Sequence, residues 1–301
     1  MTSESPLQSP LFNAPLFNGM DAAAIDRQYN FRKLVPEHAD FFARWEAQSA
    51  AARARLGGTL DIPVGPHPRQ TVDVFPAGDG APLLVFIHGG YWRSLSKAMH
   101  SFIAEPFVTQ GVAVAMIGYG LCPDVTMDEL IGHAQIGLDW ILDHAADFGA
   151  DSRRLVLAGH SAGGHLATTL LSRNPERALG AVSISGIYDL EPLLHFEVND
   201  QLRLDTDSAR RLSPVHNVPA PAPLLVLALG SNETDEMHRQ QTDQARAWAA
   251  AGNAIQEFVE PGANHFSVVD RFADPDGALF NATMAMLRAP NRTISGRSAS
   301  R

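Results

Sequence analysis

Leu155-Val156-Leu157-Ala158-Gly159-His160-Ser161-Ala162-Gly163-Gly164-His165 reads as a buried strand, a sharp turn and the opening of a helix that continues through Leu171. The turn carries the pattern G-x-S-x-G. A serine held between a strand and a helix needs neighbours with little or no side chain, and Gly159 and Gly163 supply them. Ser161 then projects from the end of the strand. The free N–H groups and positive dipole end of the following helix point at the same place, where a developing oxyanion would be stabilised.

Working outward from the turn, other short apolar runs read as strands: Thr71 to Phe75, Leu83 to Ile87, Val112 to Ile117, Ala181 to Ser185, Leu224 to Leu229 and Ile255 to Val259. Helical stretches alternate with them. One runs from Thr126 to Asp147, with Thr126 and Glu129 as a capping box; another runs from Glu236 to Ala251, with Gly252 where a C-cap would sit. Alternation of this kind predicts an α/β fold with a mostly parallel central sheet covered by helices on both faces. Residues 1–20, rich in Pro, Ser and Asn, read as an N-terminal arm. Asp21 to Leu56 reads as two helices broken at Pro36. One domain then spans 21–290, and 291–301 reads as a flexible tail. The proline-rich stretch 186–222 is too long for a plain crossover and is expected to form a small cap over the site.

Composition narrows the function classes. At 301 residues, 45% hydrophobic and 19% charged, the chain can bury a large core. A net charge of -10 without a Lys/Arg cluster argues against nucleic acid and anionic membranes as partners, and leaves a small-molecule substrate. Cys122 is the single cysteine, so no intrachain disulfide or thiolate cluster forms. Met1 to Met20 lacks a basic and apolar leader pattern, which together with the lone cysteine reads as cytoplasmic. A homodimer is left open.

The chemistry starts from Ser161, because a serine hydroxyl is a weak nucleophile without a base and an orienting carboxylate. On this arrangement the partners follow the serine in the order acid, then histidine. Of the twelve histidines, His265 lies in the loop Pro261-Gly262-Ala263-Asn264-His265-Phe266, just past the last strand, and is the expected base. His165 and His238 fall on helices and read as structural and surface residues. Glu233, three residues past Gly230 at the end of the strand Leu224 to Leu229, is the expected acid; Asp235 is the alternative and Asp189 a more distant one. The loop His88-Gly89-Gly90-Tyr91-Trp92 follows the strand Leu83 to Ile87. Its glycines let backbone amides turn inward, so Gly90, Tyr91 and Ala162 are the expected oxyanion donors. Tyr91, Trp92 and the Leu193 to Phe196 region, Phe196 among them, are expected to wall the substrate pocket. There is no H-E-x-x-H, the five-residue spacing of His160 and His165 does not suit two ligands on one helix face, and no nucleotide-binding glycine motif occurs. Neither a metal nor a cofactor is expected.

These stretches together resemble the α/β-hydrolase fold, and more narrowly the kynurenine formamidase (arylformamidase) group with its HGG-x-W loop, relatives of the hormone-sensitive-lipase-type esterases. The resemblance rests on His88 to Trp92, Gly159 to Leu166, Ser213-Pro214-Val215-His216-Asn217-Val218, His238-Arg239-Gln240 and Asn264-His265-Phe266; Arg27-Gln28-Tyr29-Asn30 is similar too. Animal formamidases are expected to carry an aspartate where this chain, in register with His238-Arg239-Gln240, has Glu233. The resemblance implies a serine hydrolase that cleaves an aryl formamide such as N-formylkynurenine, in tryptophan catabolism, through an acyl-enzyme. A short-chain carboxylesterase is the main alternative. A non-catalytic binding protein on the same scaffold has no need to keep Ser161, His265 and a carboxylate loop together.

Overall fold

A computed structural model describes residues 15–289. In chain order its strands are β1 (Thr59–Pro63), β2 (Thr71–Phe75), β3 (Ala81–Ile87), β4 (Ala113–Ile117), β5 (Ala150–His160), β6 (Gly180–Ile184), β7 (Leu224–Gly230) and β8 (Ile255–Glu260). Its helices are α1 (Ala22–Tyr29), α2 (Phe31–Leu34), α3 (His38–Leu56), α4 (Ala104–Val108), α5 (Met127–Asp143), α6 (Ala162–Arg173), α7 (Asn199–Leu202), α8 (Thr206–Leu212), α9 (Asp235–Ala250), α10 (Ser267–Phe272) and α11 (Ala278–Arg288).

The strands form one sheet in the order β1-β2-β4-β3-β5-β6-β7-β8. Strands β3 to β8 run parallel, and β2 pairs antiparallel with both β1 and β4. Helices cover both faces, so β4 and β6 are buried at every residue while the edge strands β1 and β8 are largely exposed. This is the α/β-hydrolase architecture.

The register decides where the site sits. Ile87 of β3 pairs with Gly159 of β5, Gly159 with Ser183 of β6, and Ile184 with Ala228 of β7. Four carboxyl ends therefore finish side by side, and the loops leaving them converge on one edge of the sheet.

Three local readings differ from expectation. The segment after Asp21 makes three helices, because Asn30 interrupts the first run before Pro36 is reached. Strand β1 has no counterpart among the expected strands: it is exposed and irregular, with Asp61 at φ 53°, so it lacks the apolar pattern that reveals inner strands. Of the N-terminal arm 1–20, residues 15–20 fall within the described part, and there Phe17 bridges Met20 and lies 5.2 Å beneath the Arg239 guanidinium. The expected tail 291–301 lies outside the described residues.

Candidate active site

Ser161 sits between β5 and α6 at φ 56° and ψ −119°, a backbone conformation that a residue with a side chain enters only under constraint. The constraint is visible. Ser161 N donates to Ile184 O at 2.8 Å, and a Cβ on Gly163 would lie 2.0 Å from the Ile87 carbonyl oxygen. Only glycine lets the helix start this close to β3, which presses the serine outward against the loop after that strand.

His265 Nε2 is 3.1 Å from Ser161 Oγ, and His265 Nδ1 is 2.7 Å from Glu233 Oε2. The structure thus brings Ser161, His265 and Glu233 into one hydrogen-bonded chain, all of them with side chains almost wholly buried. Two donors hold the other carboxylate oxygen: Ser185 Oγ at 2.5 Å and Gly230 N at 2.9 Å from Glu233 Oε1. Asp235 is the first residue of α9, exposed, behind the cap residue Thr234, and makes no contact with the imidazole. Asp189 accepts from Glu191 N and pairs with Arg239. Of the three carboxylates weighed from the sequence, Glu233 is the one whose side chain reaches His265; Asp235 and Asp189 lie apart from it.

The loop that carries His265 is shaped by its neighbour. Asn264 Oδ1 accepts from Phe266 N at 3.0 Å and Ser267 N at 2.9 Å, which starts α10 and turns His265 inward. His160 Nε2 donates to the His265 carbonyl at 2.8 Å. Burial, reinforced by the neighbouring His265 and His100, holds the His160 pKa well below its ordinary value, so this ring is a neutral donor that fixes the loop.

On the other side of Ser161, Gly90 takes φ 112°, with Tyr91 at 51° and Trp92 at 53°. A Cβ on Gly90 would meet Ser94 O at 2.2 Å. The loop is anchored beneath by His88, buried, neutral and stacked on Tyr119 at 4.3 Å, whose hydroxyl donates to His88 O at 2.7 Å. Among the described residues the amides of Gly90, Tyr91 and Ala162 donate to no protein acceptor. Amides left open beside a serine hydroxyl form an anion-binding hollow.

The pocket over Ser161 has its cover elsewhere than expected. Phe31, Tyr29, Phe42 and Trp45, all from the N-terminal helices, line it together with Tyr91 and Phe196. Phe31 stacks on the His265 ring at a centroid distance of 3.7 Å. From the stretch 186–222 only Phe196 reaches the pocket; Leu193 is core. Trp92, expected on the pocket wall, is fully buried behind it and packs edge-on against His165 at 5.0 Å. Its large apolar ring fills the space between the loop and α6.

A buried polar network ties the N-terminal cover to the body. Tyr29 Oη donates to Glu236 Oε2 and accepts from Gln240 Nε2, both at 2.8 Å. Gln240 Oε1 accepts from Tyr188 N and Asp189 N, while Arg239 forks onto Glu236. Tyr91 Oη donates to Tyr29 O at 2.7 Å. The distant stretches Gln28-Tyr29-Asn30 and His238-Arg239-Gln240 are thus two halves of one clasp.

Sequence reasoning missed Phe31, Ser185 and His160. Ser185 stands one residue past β6, at φ 48°, and its place at an adjacent strand end was the only signal available. Among the described residues no three His, Cys, Asp or Glu side chains form a metal-binding group, and no helix is long and apolar enough to cross a membrane.

Comparison with known proteins points to the same fold. Residues 75–191 match the BD-FAE family and residues 138–276 the prolyl oligopeptidase family. Kynurenine formamidase of Salmo salar is 30% identical over 251 residues, covering 78% of this chain and 84% of that protein; the Danio rerio enzyme is 28% identical over 250 residues with the same coverage. A crystal structure from Silicibacter sp., described as a candidate thioesterase, is 31% identical and covers 86% of this chain and 98% of its own, with a TM-score of 0.78.

Proposed function

Because the chain belongs to the kynurenine formamidase family of α/β-hydrolases, and is a hydrolase of the esterase and amidase kind, we propose that it is a serine hydrolase that deformylates a small aryl formamide such as N-formylkynurenine. The observation that carries this reading is the hydrogen-bonded chain Ser161–His265–Glu233 facing three open amides.

Ser161 Oγ attacks the formyl carbon while His265 Nε2 takes its proton. Glu233, held by Ser185 and Gly230, keeps the imidazole in the tautomer that can accept at Nε2 and balances the imidazolium charge. The tetrahedral oxyanion rests on the Gly90, Tyr91 and Ala162 amides. Collapse breaks the C–N bond, and His265 returns the proton to the departing arylamine. Water, deprotonated by His265, then attacks the formyl-serine and releases formate. Phe31, Tyr91 and Phe196 offer the aromatic leaving group apolar walls.

A second reading, hydrolysis of a short acyl ester, uses the same residues and draws support from the likeness to the Silicibacter protein. The test is kcat/KM for N-formylkynurenine beside p-nitrophenyl acetate, with Ser161→Ala as the reference. Preference for the formamide by a large factor is expected. Turnover of the activated ester alone would move the assignment to the second reading.

A further inference from the structure

We infer that Arg32 and Arg93 form an anion-recognition subsite beside Ser161, so that the substrate carries a carboxylate or equivalent anionic group outside the bond that is cleaved. The inference rests on the reading of this pocket as the substrate site. Both arginines line the pocket, and no Asp or Glu does.

Neither arginine forms an ion pair among the described residues, whereas Arg44, Arg55, Arg177, Arg211 and Arg239 each hold a carboxylate. Their partners are neutral. Arg32 Nη2 donates to Ser94 Oγ at 3.2 Å and the group lies 5.6 Å over the Phe42 ring; Arg93 Nη1 donates to Gln201 Oε1 at 3.3 Å. A guanidinium carries five N–H donors, so most of them stay available in a planar array that suits a carboxylate. Partial burial and the charge of Arg93 both lower the pKa of Arg32, and a bound anion would relieve both. In a chain of net charge -10 the overall field repels anions, which makes two unpaired cations at the pocket a local exception.

Their position ties recognition to the reacting centre. Arg93 N and Ser94 N both donate to Gly90 O, at 3.1 and 3.0 Å, and Ser94 Oγ donates to the same oxygen at 2.9 Å. An anion held by Arg32 and Arg93 is therefore referenced to the loop that supplies the oxyanion amides. A formylated aromatic amino acid presents such a carboxylate; formanilide does not.

The test uses inhibition of p-nitrophenyl acetate hydrolysis, which needs no formamidase activity. Kynurenine and phenylacetate are compared with their neutral amides on the wild type and on the Arg32→Gln/Arg93→Gln double variant. Each carboxylate should inhibit the wild type at least tenfold more tightly than its amide, and the advantage should fall below twofold in the double variant. Equal or absent inhibition by carboxylate and amide, or an advantage that survives the double substitution, overturns the inference. Ester hydrolysis that persists in Ser161→Ala would instead overturn the reading of the pocket itself.

Discussion

Two segments lie near the candidate site, and the one expected to cover it contributes less than the other. The N-terminal helices, residues 22–56, give the pocket Tyr29, Phe31, Phe42 and Trp45 and place one ring flat on His265. The insertion 186–222, which looked like a cap, gives it Phe196 and otherwise packs into the body, where His165 Nε2 donates to Leu212 O and Ser213 Oγ bridges Leu190 N and Ala209 O. Length and proline content mark a long connection, but they do not say which way it folds. Cover is decided by pairings such as Tyr29 with Glu236, 207 residues apart in sequence.

Acid should have the largest effect, and it should weaken both segments, since each rests on a buried neutral histidine. His100 and His160 lie under Trp45 of the N-terminal cover, and His165 holds the insertion. Burial lowers all three; His100 and His165 are pushed down to about 4. An unfolded histidine takes up a proton near pH ~6.5, so stability is complete above that value and falls as pH drops from there towards 4. Each of His100 and His165 should remove roughly 2 kcal/mol by pH 5. Urea unfolding at pH 7.5 and pH 5 measures this, and equal stabilities would mean these rings are not held neutral.

Phe31→Ala should lower kcat/KM on the order of 10²-fold, because the imidazole loses the ring that fixes it, while Phe196→Ala should cost less than about tenfold. The opposite ranking would return the dominant role to the insertion. Tyr29→Phe removes the hydroxyl that donates to buried Glu236 and accepts from Gln240, and should destabilise by about 1–3 kcal/mol with a fall in activity. Ser213→Ala should destabilise by about 1–2 kcal/mol and leave kcat/KM within a factor of about two. A parallel loss of activity in both would erase the distinction. Smallest of all, Asp235→Asn should change kcat/KM by less than about twofold, since its side chain serves the first turn of α9.

What could be read in advance follows from range. Inner strands declare themselves by unbroken apolar runs, and the elbow, the glycine loop and the Asn264-His265 turn are local devices whose residues suit a few backbone shapes. Glu233 was reachable because it stands at a strand end. Trp92 was misplaced because an aromatic next to a site motif can face either way, and here it fills the gap behind the loop. Phe31, Ser185 and the Tyr29–Gln240 clasp depend on elements brought together only by the finished sheet. The short run Arg27-Gln28-Tyr29-Asn30 stood out by resemblance; its hydrogen bonds explain why.

The central claim is that Ser161 is the nucleophile, and covalent trapping tests it most directly. Treatment with a fluorophosphonate, followed by intact-mass measurement and peptide mapping, should give one adduct on Ser161, with activity lost in proportion to labelling and no adduct in Ser161→Ala. Activity that survives complete labelling, or an adduct on another residue that accounts for the loss, would contradict the account.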